Sequence, residues 1–302
     1  MKAFVIGATG YIGGAIAVRL KKEGFEVVGM TSSKERGEKL RDFGIEPYIC
    51  EMSDIARLTD GARNADIVVS AADSDARETV EGVLKSFEGT DKVFIHTSGS
   101  SIIADTACGD LSDKFYDDYQ KFEPVPDKVA RVEIDELVKS YASKGLHTAV
   151  ICPCMIYGEG AGPKKESQQI PNLIKQAKKS GIARHIGKGM NVWSTVHIDD
   201  LVELYTLAAL RKAPAGAFLF AENGEVNFQT LVETIKEGLK LSTPVEDWAF
   251  DEAVKEWGHG SAMYGLGSNS RVRGLHSRKI GWKPHHNDVV TDTLRACKSE
   301  NL

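Results

Sequence analysis

The chain has 302 residues, 42% of them hydrophobic and 27% charged, with a net charge of −5. These values describe an ordinary globular protein with enough apolar mass for one large domain or two closely joined ones. They give no support to nucleic acid or membrane as a partner, and no apolar run approaches the length of a membrane span.

Ala3 to Ile6 is a short apolar run that suits a buried parallel strand, and Gly7, Gly10 and Gly13 follow where that strand turns into a helix. Gly7 permits the tight turn, Gly10 lets the backbone approach a pyrophosphate, and Gly13 lets the helix pack hard on the sheet. A turn without a ligand is the plainer alternative. The strand before it and the helix after it favour the phosphate reading. On that reading Gly7, Thr9, Gly10, Tyr11, Ile12 and Gly13 line the phosphate site.

The pattern then alternates. Helical periodicity runs from Tyr11 to Glu23, and Phe25 to Met30 reads as a strand. Helix formers occupy Lys34 to Asp42, with a strand near Pro47 to Cys50. Strands follow at Asp66 to Ala72 and Lys92 to Thr97, separated by a helical stretch from Ala76 to Phe87. Alternation with short connections predicts a doubly wound parallel sheet. Ser98 to Pro126 breaks the rhythm with a long loop rich in Asp, Gly and Ser. Such a loop, leaving the carboxyl end of a parallel strand, is where these sheets keep active sites. A helix from Asp127 to Ser143 and a strand from Thr148 to Cys152 follow. Further on come a helix near Ile170 to Lys179, a strand at Trp193 to Val196, a helix from Ile198 to Leu210 and a strand at Ala217 to Ala221.

Five cysteines (Cys50, Cys108, Cys152, Cys154 and Cys297) form no even disulfide framework, and the N-terminus runs directly into the glycine turn. A reducing, cytoplasmic compartment is the expectation. Cys152 and Cys154 flank Pro153 without a second cysteine pair, so no metal site is expected.

Several short pieces occur in a telling order. Gly7-Ala-Thr-Gly10-Tyr-Ile-Gly13 is followed by Thr97-Ser98-Gly99-Ser100, Pro153-Cys-Met-Ile-Tyr157-Gly158, Val196-His197-Ile-Asp199-Asp200 and Gly281-Trp282-Lys-Pro284. In this the chain resembles the extended and atypical short-chain dehydrogenase/reductases, the NAD(P)-dependent epimerase, dehydratase and reductase family. The resemblance implies an α/β fold with a Rossmann-type sheet and a smaller, mixed α/β substrate domain. The expected division is residues 1–160 and 196–222 for the NAD(P)-binding domain, and 161–195 and 223–302 for the substrate-binding domain.

One departure outweighs the matches. The family's catalytic Tyr-x-x-x-Lys pair falls on Asp127 and Arg131, and its serine or threonine partner falls at Gly99, flanked by Ser98 and Ser100. A carbonyl reductase needs a proton donor tuned toward neutral pH, and the family's lysine also holds the nicotinamide ribose. Arg131 can hold ribose hydroxyls and supply positive potential without relaying a proton. Asp127 reads as a helix cap. The substitute donors are Tyr157 (the first choice), Tyr116, Tyr119 and Lys128, with Ser98 and Ser100 as pocket hydroxyls. Each tyrosine also suits plain packing with its hydroxyl exposed. His197 reads as a structural histidine.

Cofactor choice is read after the second strand. Thr31 stands where NAD-specific members carry an acid, and the Thr31 and Ser32 hydroxyls with Lys34 and Arg36 suit a 2′-phosphate. NADP is therefore expected, with NAD possible. By resemblance Met52 frames the adenine, Ala71 and Ala72 give the cofactor close passage, and Pro153 borders the nicotinamide. Tyr116, Gln169 and Trp193 are the expected substrate contacts, interdomain packing being the plainer role of Gln169 and Trp193. Together these readings predict an NADP(H)-dependent reductase of a small carbonyl or activated double bond, monomeric or homodimeric. A sugar-nucleotide epimerase or dehydratase and a non-catalytic NADP(H)-binding redox sensor are the alternatives.

Overall fold

Residues 1–299 are described by a computed structural model. β1 (Lys2–Ile6) is followed by α1 (Tyr11–Lys22), β2 (Glu26–Thr31), α2 (Lys34–Arg41), β3 (Glu46–Ile49), α3 (Ile55–Ala62), β4 (Ile67–Ser70), α4 (Arg77–Ser86) and β5 (Val93–Thr97). After the long loop, which carries the two-residue β6 (Tyr116–Asp117), come α5 (Val129–Ser140) and β7 (His147–Pro153). Next are β8 (Met155–Tyr157), α6 (Gln169–Ser180), β9 (Arg184–Ile186), β10 (Val192–His197), α7 (Ile198–Ala209) and β11 (Ala217–Ala221). The chain continues through β12 (Glu225–Asn227), α8 (Phe228–Leu239), β13 (Glu246–Trp248), α9 (Phe250–Trp257), the one-turn α10 (His259–Ser261) and a π-type turn over Ala262–Leu266. β14 (Val272–Arg273), α11 (Leu275–Lys279) and α12 (Val289–Cys297) complete it.

Seven strands form one sheet in the order β11-β7-β5-β4-β1-β2-β3, every pair parallel. The α/β doubly wound expectation is met. The strand order reverses between β1 and β4, which opens the crevice where such sheets bind ligands. Ile16 and Leu20 of α1 pack with Leu201 and Tyr205 of α7 on one face. Leu58 of α3, Val83 of α4 and Ile134 and Val138 of α5 cover the other. The central strands are buried on both faces, which is why they read as unbroken apolar runs.

A second apolar cluster joins Met155, Ile170, Leu173, Trp193, Phe228, Leu231, Ile235 and Val289. Three short sheets, β8-β10-β12, β9-β13 and β6-β14, hold this part of the chain. Among the described residues no helix is long and apolar enough to cross a membrane. The sequence reading passed over α3: it spans eight residues, and its signal is the Asp54 cap, whose carboxylate accepts from the Arg57 N–H at 3.0 Å.

Candidate cofactor groove and active site

At the end of β1 the chain turns through Gly7 at φ +84°, a conformation open to glycine. A Cβ there would stand 2.9 Å from the Ala71 carbonyl oxygen and 2.9 Å from the Ala72 Cα, so β4 closes directly over the turn. A Cβ on Gly13 would overlap the Gly7 carbonyl group. Gly10 differs: its Cβ direction meets only the Gly7 oxygen, at 3.2 Å, and is otherwise open. Gly10 is also the N-cap of α1, and no side chain caps that first turn. The N–H groups of Tyr11, Ile12 and Gly13 therefore face the crevice as a ready anion site. Tyr11 reaches the other way. Its hydroxyl donates to the carbonyls of Tyr157, at 3.1 Å, and Gly158, at 2.8 Å.

Beside the turn, the buried hydroxyls of Thr9 and Thr31 meet at 3.0 Å. Ser33 caps α2 by accepting from the Arg36 N–H at 3.2 Å. Ser32, Lys34 and Arg36 are exposed, and neither cation makes an ion pair among the described residues. Farther along the same helix Arg41 pairs with Glu38 and Glu46. The end of β2 thus presents hydroxyls and two uncompensated cations. Met52 lies after β3 with its carbonyl accepting from Thr79 at 3.0 Å.

At the carboxyl end of β5 the hydroxyls sort differently from the sequence reading. Ser98, 4% exposed, donates to Asp135 at 2.7 Å, below the groove. Ser100, 1% exposed, is tied to the Ser270 hydroxyl at 2.8 Å. Neither expected hydroxyl is presented to the groove, because both are bonded inward. Ser101, which the sequence reading did not name, accepts from Arg131 at 3.1 Å. Arg131 also forms a two-pronged pair with Asp75, at 2.8 and 2.5 Å, which holds that carboxyl below its ordinary range. A Cβ on Gly99 would lie 3.5 Å from the Arg131 guanidinium, so the position of the missing family hydroxyl does face this cation.

Lys128 sits one turn before Arg131 with its ammonium 5.0 Å from the centre of the Tyr264 ring. Burial and the neighbouring Arg131 push its pKa down. Asp127 does not cap the long helix, because the chain first makes a short 3₁₀ turn over Pro126–Lys128. Beneath the groove, burial raises Asp135 to about 7 and lowers His96 to about 4. Neither His96 nitrogen has a hydrogen-bond partner, and its Nε2 is 3.8 Å from Asp135.

The remaining candidates spread out. Pro153 ends β7 and is buried beside Ala221. Tyr116 packs edge-on against Phe122 in a small apolar cluster with Ile102, Phe220 and Val272. Tyr119 is exposed and stands edge-on to His276. Gln169 donates to the Gly265 carbonyl at 2.7 Å, and the Trp193 indole donates to the Ser268 carbonyl at 2.9 Å. Both thus fasten the segment after α10, and Trp193 is only 4% exposed. All four residues lie within 161–195 and 223–302, so these bonds are internal to the expected substrate domain.

Tyr157 is 2% exposed and stands edge-on to His197 at 5.1 Å. It lines a cavity whose walls include none of Ser98, Ser100 and Arg131. Burial and the carboxylates of Asp292, Asp200 and Asp288 raise its pKa, the opposite of the tuning a proton donor needs. That environment argues against its expected role.

The model of the NAD dependent epimerase/dehydratase family matches residues 3–219. The chain belongs to this family. An uncharacterized protein of Schizosaccharomyces pombe is 30% identical to it, over 97% of this chain and 98% of its own length. Oxidase ucsJ of Acremonium sp is 28% identical, over 94% of this chain and 92% of its own. The structure of dTDP-glucose 4,6-dehydratase from Bacillus anthracis, in complex with NAD, shares the fold with a TM-score of 0.78 at 16% identity. That match covers 100% of this chain and 98% of the dehydratase chain. For an epimerase/dehydratase family member the dinucleotide must fit the turn after β1. Here it does: the direction a Gly10 Cβ would fill is open, and the first turn of α1 is uncapped.

Proposed function

We propose that the protein is an NADP(H)-dependent oxidoreductase that reduces a small carbonyl or an activated double bond. Gly7, Thr9, Gly10, Tyr11, Ile12 and Gly13 hold the pyrophosphate, and Thr31, Ser32, Lys34 and Arg36 hold the 2′-phosphate. Met52, Ala71, Ala72 and Pro153 border the rest of the dinucleotide. When bound, it supplies a hydride to the substrate carbon. Residues 161–195 and 223–302 are read as the substrate-binding domain, and the second apolar cluster draws most of its members from them, with Met155 and Tyr157 added from the segment before.

The observation that carries the reading is the half-buried cationic pair Lys128 and Arg131 at the open end of β5, with Asp75 and Ser101 fixing the guanidinium. Negative charge that develops on a carbonyl oxygen is stabilised there by Arg131, preorganised by its two-pronged bond. The proton goes from the Lys128 ammonium to that oxygen, since its lowered pKa brings it nearer the range of an effective acid. Arginine stays protonated and cannot take this part.

Purified protein with NADPH, screened against aldehydes, ketones and enones by cofactor absorbance, tests the reaction. Turnover of a panel member is expected, and Lys128→Met should cut kcat by about 10²-fold, the scale of general-acid catalysis. Tight NADPH binding without turnover would favour the non-catalytic alternative. Conversion of a nucleotide sugar instead would favour the epimerase.

A further inference from the structure

Away from this groove, a cavity of about 490 Å³ opens between the loop after β8, the start of α6 and α12. Its charged walls are Glu159, Glu166, Asp199 and Asp292 against Lys165 and Arg295. Three of the carboxylates are compensated. Glu159 lies 3.6 Å from Lys165, Glu166 lies 2.7 Å from Lys175, and Asp292 lies 2.8 Å from Arg295. Asp199 has no lysine or arginine partner among the described residues. Its nearest ionic neighbour is the His197 Nδ1, at 3.8 Å.

His197 and His286 stack in the same wall with centroids 4.1 Å apart and planes within 20°. Tyr157 stands edge-on to that pair, and its hydroxyl is fully buried without a hydrogen-bond partner. A buried hydroxyl with no partner costs stability that a ligand oxygen would restore.

The tautomers decide what kind of ligand suits the site. His197 Nδ1 accepts from the Asp199 N–H at 3.2 Å, which places the ring proton on Nε2. His286 Nδ1 donates to the buried carboxylate of Asp200 at 2.9 Å, which frees Nε2 as an acceptor. His197, Asp199 and His286 lie within 4.8 Å of one another and outline a metal site. With both Nδ1 atoms already engaged, the Asp199 carboxylate and the His286 Nε2 are the acceptor atoms left to a ligand, too few for a stable transition-metal centre. A carboxylate oxygen and an imidazole nitrogen in one cavity wall suit a single ammonium as donor to both.

We propose that this cavity binds a small organic ammonium with an oxygen on the neighbouring carbon, an amino alcohol or amino sugar. The ammonium donates to Asp199 and to His286 Nε2, and the neighbouring oxygen accepts from the Tyr157 hydroxyl. The site is independent of the reductase reading, and it is tested on protein without nucleotide.

Isothermal titration of the full chain with ethanolamine and with glucosamine tests the site, with glucose, ZnCl₂ and MnCl₂ as comparators. Both amines should bind saturably, and glucose at least about tenfold more weakly, the loss of one charged hydrogen bond. Asp199→Asn, a change at an exposed first-turn position, should weaken both amines about tenfold or more while NADPH affinity stays unchanged. Tyr157→Phe should weaken them several-fold. The assignment is overturned by no amine binding at about 10 mM, by equal binding of glucose, by binding of either metal alone, or by amine affinity unaltered in Asp199→Asn.

Discussion

Substituting alanine at Gly10 and at Gly13 separates a glycine kept for a ligand from one kept for the fold. At Gly13 the new methyl overlaps the Gly7 carbonyl, 2.8 Å from its carbon and nearer still to its oxygen. That obstacle is backbone, so no rotamer change relieves it, and α1 must lift from β1. Overpacking of this kind costs about 3 kcal/mol, which for a chain of this length is a fall in Tm of roughly 5 °C. At Gly10 the methyl meets one atom at 3.2 Å and the backbone is extended, at φ −81° and ψ 173°, a conformation alanine adopts readily. The loss there is that of a poorer N-cap, about 0.5–1 kcal/mol. Yet that methyl points where the pyrophosphate would approach the uncapped helix, so NADPH affinity should fall at least about 100-fold, roughly 2.7 kcal/mol. Thermal unfolding followed by circular dichroism, with NADPH fluorescence titration on the same samples, reads both quantities. Undiminished NADPH affinity in Gly10→Ala, or parental stability in Gly13→Ala, would refute the assignment of roles to these two glycines.

Replacing both Lys34 and Arg36 by alanine should weaken NADPH about tenfold or more, the scale of a charge-assisted hydrogen bond, and leave NADH unchanged. Competitive titration of the two nucleotides checks it, and equal losses for both would remove the 2′-phosphate assignment. Arg131→Lys keeps a charge but loses the two-pronged bond to Asp75, so kcat/KM should drop by about 10²-fold; steady-state kinetics on the first active substrate measures this. Asp135, raised to about 7, keeps its proton in the fold from about pH 4 to 7 while the unfolded chain loses it, so this group's contribution falls as pH rises through that window. Its neighbour His96, lowered to about 4, acts in the opposite sense as pH falls below about 6.5. Asp135→Asn removes only the first effect. Relative to the parent it should therefore gain stability from pH 4 to 7, on the order of 4 kcal/mol, in urea unfolding across that range.

The sheet was legible because burial on both faces leaves a simple pattern of apolar runs, and because the Gly7 turn cannot be built from other residues. The hydroxyl that faces the groove was not. A serine at the end of a strand is assigned to a face by period-two alternation, but the chain leaves β5 at Thr97 and winds into a 3₁₀ turn over Ser100–Ile103. There the period becomes three, which carries Ser100 inward to Ser270 and brings Ser101 to Arg131. Arg131 itself could be registered on the apolar stripe of its own helix. Its partner Asp75, 56 residues earlier, carries no local signal, and only the adjacency of β4 and β5 in the sheet makes the pair readable.

Tyr157 shows the same limit from the other side. Its place after a core strand, inside a family-like motif, suggested the crevice, whereas its ring is turned by the packing of β8 against β10 onto His197. Strand parity decides such cases. Residues 155 and 157 share one face of β8 and both join the smaller apolar cluster, while residue 156 packs toward the main core. A sequence argument that had counted alternation from Met155 would have put the phenol with that cluster before asking what its hydroxyl could do.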